Sequence, residues 1–238
     1  MINKYSFINI YQDKKKNSKL SSQILYGEKF KIIKKYKDWY KIKTDYDKYI
    51  GFIKQRKFKK FTHKPTHKVS SLKANVFAKP LRSSQIKMQL SFASLLNVNC
   101  SKKKFLNFDN YWIQKSDVVP INYKEKIFKR VAIFKNVKYK WGGKKFDGID
   151  CSGLVQLFYK FNNLYCPRDT GPQFKYFKKI KSIKKDAIIF WKGHVAICLS
   201  KEKLIHAYGP KKKVIIMDIK KTINLIKKTA KLEVIGIK

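Results

Sequence analysis

Gly148-Ile149-Asp150-Cys151-Ser152-Gly153-Leu154-Val155 decides how the C-terminal half of this chain is read. A glycine-bearing turn runs straight into an apolar run, Leu154, Val155, Leu157, Phe158 and Phe161, with the spacing of a helix face. That pattern predicts a helix starting at or near Cys151. Backbone N–H groups and the helix dipole at such a start favour a thiolate. Cys151 is therefore expected to be the most reactive of Cys100, Cys151, Cys166 and Cys198. Two of the four histidines, His194 and His206, follow in short strand-like segments. An ionisable cysteine with histidines downstream is the minimum equipment for nucleophilic acyl transfer.

Further motifs stand in order around this stretch. Tyr139-Lys140-Trp141-Gly142-Gly143 precedes it. Cys166-Pro167-Arg168-Asp169-Thr170 and Gln173 follow, then Asp186-Ala187-Ile188-Ile189-Phe190-Trp191, Gly193-His194-Val195-Ala196-Ile197 and His206-Ala207. Together they resemble the signature of NlpC-type cysteine peptidases of the bacterial cell wall, over about residues 125–238. One departure is Lys185-Asp186, where the family usually has Gly-Asp; it affects a turn.

The resemblance implies a papain-like core and a Cys-His-His triad. Cys151 would be the nucleophile, and His194 the general base and then the acid for the leaving amine. His206 would hold the other imidazole nitrogen and fix the tautomer. Oxyanion donors would be the Cys151 N–H and the Tyr139 hydroxyl. Trp141 reads as packing, with Gly142 and Gly143 letting the backbone turn tightly. In relatives that carry SH3-like barrels, positions matching Asp150 and Ser152 hold the free amine of an N-terminal L-Ala. Thr170 matches a Ser at the same end of the substrate. A carboxylate beside an ammonium is physically sensible, since an unpaired buried charge is costly. The first barrel would wall off the cleft, with Tyr49 and Glu28 as contacts.

Residues 1–60 read as short strands: Ser22–Glu28 leading into Phe30 and Ile32, then Trp39–Ile42, then Tyr49–Ile53. The order Leu25-x-Gly27-Glu28, Asp38-Trp39, Tyr49-Ile50-Gly51-Phe52-Ile53 resembles a bacterial SH3-like domain. Residues 61–69, with Lys64 and Pro65, read as a linker. It runs into a second, divergent SH3-like barrel over 66–123, with strands at Val76-Phe77, Leu90-Ser91, Leu95–Val98 and Tyr111–Ile113. Pro80 and Pro120 mark edges or exits. Residues 124–238 open with an amphipathic stretch at Ile127, Val131, Ala132 and Phe134. The Cys151 helix follows, then strands at 187–190, 195–199, 204–207 and 214–217. Helices before an antiparallel sheet make an α+β domain. The expected architecture is thus α+β, a papain-like catalytic domain preceded by two small all-β barrels.

Net charge is +42, from 57 Lys and Arg against 15 Asp and Glu. Arg occurs only at Arg56, Arg82, Arg130 and Arg168. Phosphate and base readers favour the planar guanidinium fork. Lys, Ile, Asn, Phe and Tyr are all abundant, as an AT-rich coding sequence would give. The excess is therefore read as a solvated surface, with no specific nucleic-acid partner. No run approaches the roughly eighteen apolar residues of a membrane span, and Met1–Tyr11 shows no signal peptide. Scattered cysteines without metal-ligand spacing fit a reduced, cytoplasmic setting. His63 and His67 have no Cys or carboxylate close by, so no metal or cofactor is expected. The resemblance implies hydrolysis of the γ-D-Glu to diamino-acid bond in stem peptides such as L-Ala-γ-D-Glu-meso-diaminopimelate, in murein peptide recycling. Hydrolysis of intact peptidoglycan, or non-catalytic binding of wall peptides or anionic polymers, are the alternatives.

Overall fold

Strand periodicity is plain at the N-terminus, where Ile8 and Ile10 point inward and their neighbours do not. In the computed structural model, which describes residues 1–58, 60 and 64–238, the chain divides into two units, Met1–Lys124 and Glu125–Lys238. In the first, β1 (Phe7–Tyr11), β2 (Leu20–Leu25), β3 (Phe30–Lys35), β4 (Trp39–Thr44) and β5 (Ile50–Lys54) form an antiparallel sheet of order β2-β1-β5-β4-β3. Ile8, Ile10, Ile24, Phe30, Ile42 and Ile53 make its core.

Then come β6 (His67–Val69), β7 (Lys73–Phe77), β8 (Ile86–Ser91), β9 (Leu95–Leu96), β10 (Cys100–Lys102), β11 (Phe105–Phe108), β12 (Tyr111–Gln114) and β13 (Val118–Pro120). They form sheets of order β10-β11-β12-β7-β8 and β13-β6-β9 around a second core that includes Val76, Leu90, Phe108 and Ile113. Residues 67–69, where the expected linker overlaps the expected second barrel, form a strand at the centre of a sheet. His63 lies outside the described residues, and Pro120 ends an edge strand, where a missing N–H is tolerated.

The Leu25-x-Gly27-Glu28 turn ties the two cores together. Tyr26 is buried in the second core, and its hydroxyl donates to Asp109, which also accepts from Lys4. Leu95 N–H donates to Tyr26 O at 2.9 Å. Gly27 has φ +78°, and a Cβ there would lie 2.0 Å from Leu95 O. Gly27→Ala is accordingly expected to cost at least about 1–2 kcal/mol from the left-handed backbone alone, with the clash adding to it. A lower denaturant midpoint at unchanged slope would report this.

In the second unit a 3₁₀ turn (Val131–Phe134) precedes β14 (Lys144–Lys145), β15 (Gly148–Ile149), α1 (Cys151–Phe161), α2 (Thr170–Tyr176), β16 (Ile188–Trp191), β17 (His194–Cys198), β18 (Lys203–Tyr208), β19 (Lys213–Asp218), α3 (Ile219–Ala230) and β20 (Val234–Ile237). The main sheet runs β19-β18-β17-β16-β20, and α1 packs on β17 and β18. Leu154, Val155, Leu157, Phe158 and Phe161 are all buried by that packing. The unit is α+β, as expected, with three differences. The stretch at 127–134 makes only the 3₁₀ turn. The helix α3 lies beyond the expected elements; Asp218 caps it by accepting Lys221 N–H at 2.9 Å, and Ile219, Thr222 and Ile226 are its buried positions. Strand β20 is likewise an addition to the expected elements; it pairs with β16 through Ile189↔Ile237. At Lys185-Asp186 the chain turns with Asp186 at φ +67°, a conformation Asp tolerates better than most residues. Among the described residues no helix is long and apolar enough to cross a membrane.

Candidate active site

Cys151 is the first residue of α1, and Asp150 is its N-cap, with Oδ1 accepting Gly153 N–H at 2.7 Å. The same carboxylate accepts Gly142 N–H through Oδ2 at 2.8 Å. Arg168 grips it from the other side, Nη1 to Oδ1 at 3.0 Å and Nη2 to Oδ2 at 2.6 Å, and Nη1 also reaches Ser152 Oγ at 2.9 Å. Asp150, Ser152 and Arg168 are all buried. A bidentate, fully hydrogen-bonded pair is the form in which buried charges are tolerated. This network joins the Trp-Gly-Gly turn, the start of α1 and the Pro167-Arg168-Asp169 segment.

The glycines follow from that junction. Gly142 has φ +73°. A Cβ on Gly153 would lie 2.6 Å from Gly143 O, so α1 can seat its first turn on the Trp-Gly-Gly turn only with glycine there. Trp141, read as packing, is instead 61% exposed.

The sulfur of Cys151 takes hydrogen bonds from the N–H groups of Ser152 and Val195, so it lies at the start of β17, beside His194. His194 Nε2 is 2.9 Å from His206 Nδ1. Continued from Ile197↔Ile205, the ladder sets Tyr208 across from His194 and His206 across from Ala196, which puts the three rings on one face. Tyr208 stacks on His206 at 4.7 Å and 11°, while Trp191 and Tyr208 lie 5.6 and 5.8 Å from His194. His206 Nε2 is buried and has no hydrogen-bond partner among the described residues. With Nε2 of His194 facing His206, Nδ1 is the nitrogen left for the thiol proton. Accepting it requires His194 to carry its own proton on Nε2 and donate it to His206 Nδ1. The pair thereby selects the tautomer that the chemistry needs.

The resting ionisation differs from the expectation of a thiolate. Burial pushes the Cys151 thiol up to about 12, and the neighbouring Asp150 charge adds to this. The Val195 and Ser152 N–H groups and Arg168 pull the other way, and desolvation wins. Burial lowers His194 to about 4, and burial together with His194 lowers His206 to about 3. The free protein thus holds a neutral thiol beside neutral imidazoles. Exposed Cys100, not Cys151, is the cysteine open to bulk reagents.

Tyr139 lies close enough to feel the Cys151 charge; burial first, then Cys151 and Asp150, pushes its hydroxyl up to about 12. It therefore stays a hydrogen-bond donor at any working pH. Its ring packs 3.6 Å from where a Cβ on Gly209 would stand. Thr170 begins α2, whose N-cap Asp169 is exposed and makes no side-chain capping bond. In the N-terminal unit, the Glu28 carboxylate accepts Leu25 N–H and the residue is 7% exposed, while Tyr49 packs against the first core. The sequence motif contains Arg168 but does not by itself reveal its role as the partner of Asp150. Its signal was the presence of one of only four arginines inside that motif.

These pKa directions predict the pH behaviour. As a general base His194 would act in its neutral form, and its depressed pKa keeps it neutral from pH 6.5 down to about 4. The acid limb of kcat/KM is expected nearer pH 4 than 6.5. In the same window the unfolded chain binds protons that the folded chain does not, so stability rises with pH there. A pH–rate profile and melts across pH 4–7 check both signs; an acid limb at 6.5 or above would contradict the buried, neutral pair.

Comparison with known proteins gives a consistent setting. The model of the NlpC/P60 family matches residues 136–230, and that of the bacterial dipeptidyl-peptidase SH3 domain matches 10–57. The gamma-D-glutamyl-L-lysine dipeptidyl-peptidase of Bacillus subtilis is 26% identical over 231 residues, covering 86% of this chain and 77% of that protein. A protein of Haemophilus influenzae named "Probable endopeptidase" is 30% identical over 113 residues, 39% of this chain and 70% of that one. The crystal structure of an NlpC/P60 family protein from Bacillus cereus shares the fold, with a TM-score of 0.81 at 18% identity over 92% of this chain and 93% of that one.

Proposed function

The chain belongs to the NlpC/P60 family, and from that premise we propose that it is a cysteine peptidase hydrolysing the γ-D-Glu to diamino-acid bond of peptidoglycan stem peptides that carry a free N-terminal L-Ala. The observation that carries this reading is the 2.9 Å contact of His194 and His206 beside the Cys151 sulfur. The name of the Bacillus subtilis relative supports the bond.

Cys151 passes its proton to His194 Nδ1 as the sulfur attacks the γ-carbonyl carbon. The oxyanion is received by Tyr139 Oη and by the Cys151 N–H, which in the first turn of a helix has no intrahelical acceptor. His194 then protonates the leaving amine of the diamino acid, and a thioester remains on Cys151. Water, deprotonated by His194, opens the thioester, restores the thiol and releases L-Ala-γ-D-Glu. The imidazolium that forms between these steps donates to His206 and lies between the rings of Trp191 and Tyr208, whose faces favour a cation.

The ammonium of L-Ala needs an anion. Asp150 is already matched by Arg168, so Asp150 and Ser152 hold the site together, and we assign the ammonium to exposed Asp169 with Thr170 beside it. A peptide selected for a free amine is a released fragment, which suits murein peptide recycling in the cytoplasm better than attack on intact wall. The assembled thiol–imidazole pair favours an enzyme over a purely binding role. Mass spectrometry of products from L-Ala-γ-D-Glu-L-Lys, its meso-diaminopimelate counterpart, their N-acetyl forms and whole sacculi tests this. Release of L-Ala-γ-D-Glu from the free-amine peptides is expected; cleavage at another bond, or equal attack on sacculi, would overturn it.

A further inference from the structure

In the N-terminal sheet β1 and β5 part company. Among the described residues they pair at Tyr11↔Phe52 alone. That register, continued, would set Asn9 across from Lys54 and Phe7 across from Arg56. Between these residues the structure has instead a cavity of about 350 Å³, lined by Tyr5, Phe7, Asn9, Tyr11, Lys54 and Arg56 among others. The far end is closed, because Tyr5 Oη donates to Lys57 O at 3.0 Å and the Tyr5 ring meets Phe58 edge-on at 6.2 Å. The result is a slot bounded at both ends, at the lower limit of common ligand-site volumes.

Its chemistry is one-sided. Among the described residues no carboxylate lines it. Lys54 and Arg56 are exposed and stand two residues apart on an extended run, since Gln55 N–H still donates to Asp38 O at 2.9 Å. Side chains so placed repeat at about 6.5 Å on one face. The Arg56 guanidinium lies 5.1 Å from the centre of the Tyr5 ring, so one cation is held against an aromatic wall. An extended peptide repeats its own side chains at the same spacing. We propose that the slot between β1 and β5 binds an extended peptide whose carboxylates fall on alternate residues, with its aliphatic parts against Tyr5 and Phe7. This is independent of the peptidase reading.

The test uses full-length Cys151→Ala protein and fluorescence anisotropy with two labelled hexapeptides of equal charge, Ala-Glu-Ala-Glu-Ala-Ala and Ala-Glu-Glu-Ala-Ala-Ala, in about 0.15 M salt. The alternating peptide is expected to bind at least about tenfold more tightly. Lys54→Ala/Arg56→Ala should lose at least that factor. Lys102→Ala/Lys104→Ala, the same charge change at exposed residues elsewhere, should lose under about twofold. Asn9→Tyr, which adds bulk to the slot on the face of Phe7 and Tyr11 without altering charge, should lose as much as the first pair, with unchanged circular dichroism in every variant. Equal affinity for the two peptides, or equal loss in both double variants, is what unspecific attraction to a surface of net charge +42 would give and would sink the proposal. Tighter, Arg56-dependent binding of inorganic polyphosphate in the same salt would overturn the peptide assignment. Because no turnover is read, either outcome leaves the peptidase reading untouched.

Discussion

Cys151→Ala is expected to retain the fold and to lower hydrolysis of L-Ala-γ-D-Glu-L-Lys by at least about ten-thousandfold, the usual order for removing a covalent nucleophile. The thiol is 7% exposed, so the substitution removes one buried sulfur and no charge. What remains is Tyr139, the helix start and an imidazole pair able to orient water, which accounts for any residual rate. Single-turnover assays with product detection would measure this. Residual activity above about one per cent would mean that the cysteine is not the nucleophile. Iodoacetamide labelling should run in the opposite order to catalytic importance. Exposed Cys100 is expected to react first, and Cys151, neutral and buried, only when a peptide-like electrophile brings a carbonyl to it.

Acetylating the substrate's α-amine is expected to lower kcat/KM by at least about a hundredfold, from loss of one charge-assisted contact and added bulk at that end. Asp169→Asn should narrow the gap between free and blocked peptides, chiefly through KM. Asp150→Asn should do something different. It leaves Arg168 with half its partner and loosens the turn that carries Gly142, so kcat should fall for free and blocked peptides alike. If Asp150→Asn alone erased the preference for a free amine, the ammonium would belong to Asp150 and the assignment to Asp169 would fall.

Three features of the catalytic half are masked in the sequence, each for its own physical reason. Helix α3 is capped by Asp218 and carries apolar residues at helical spacing, yet Lys220, Lys221, Lys227 and Lys228 dilute the pattern in a chain where lysine is everywhere. Strand β20 is short and takes its identity from pairing with β16. Trp141 looked like core because large aromatics usually are, but its turn is pinned through Gly142 and leaves the indole outside.

Local order by itself determined where α1 begins, because an Asp-x-x-Gly cap followed by apolar residues at helical spacing is a property of consecutive residues. It also singled out Cys151, His194, His206 and the glycine turn as the residues to look for. Only the tertiary structure decided what Asp150 serves, because Arg168 stands eighteen residues further along and nothing local says where its guanidinium will lie. Likewise only packing decided the resting charge of Cys151. A helix N-terminus is written in the sequence, but desolvation depends on which segments close over the sulfur, and here that burial outweighs the dipole.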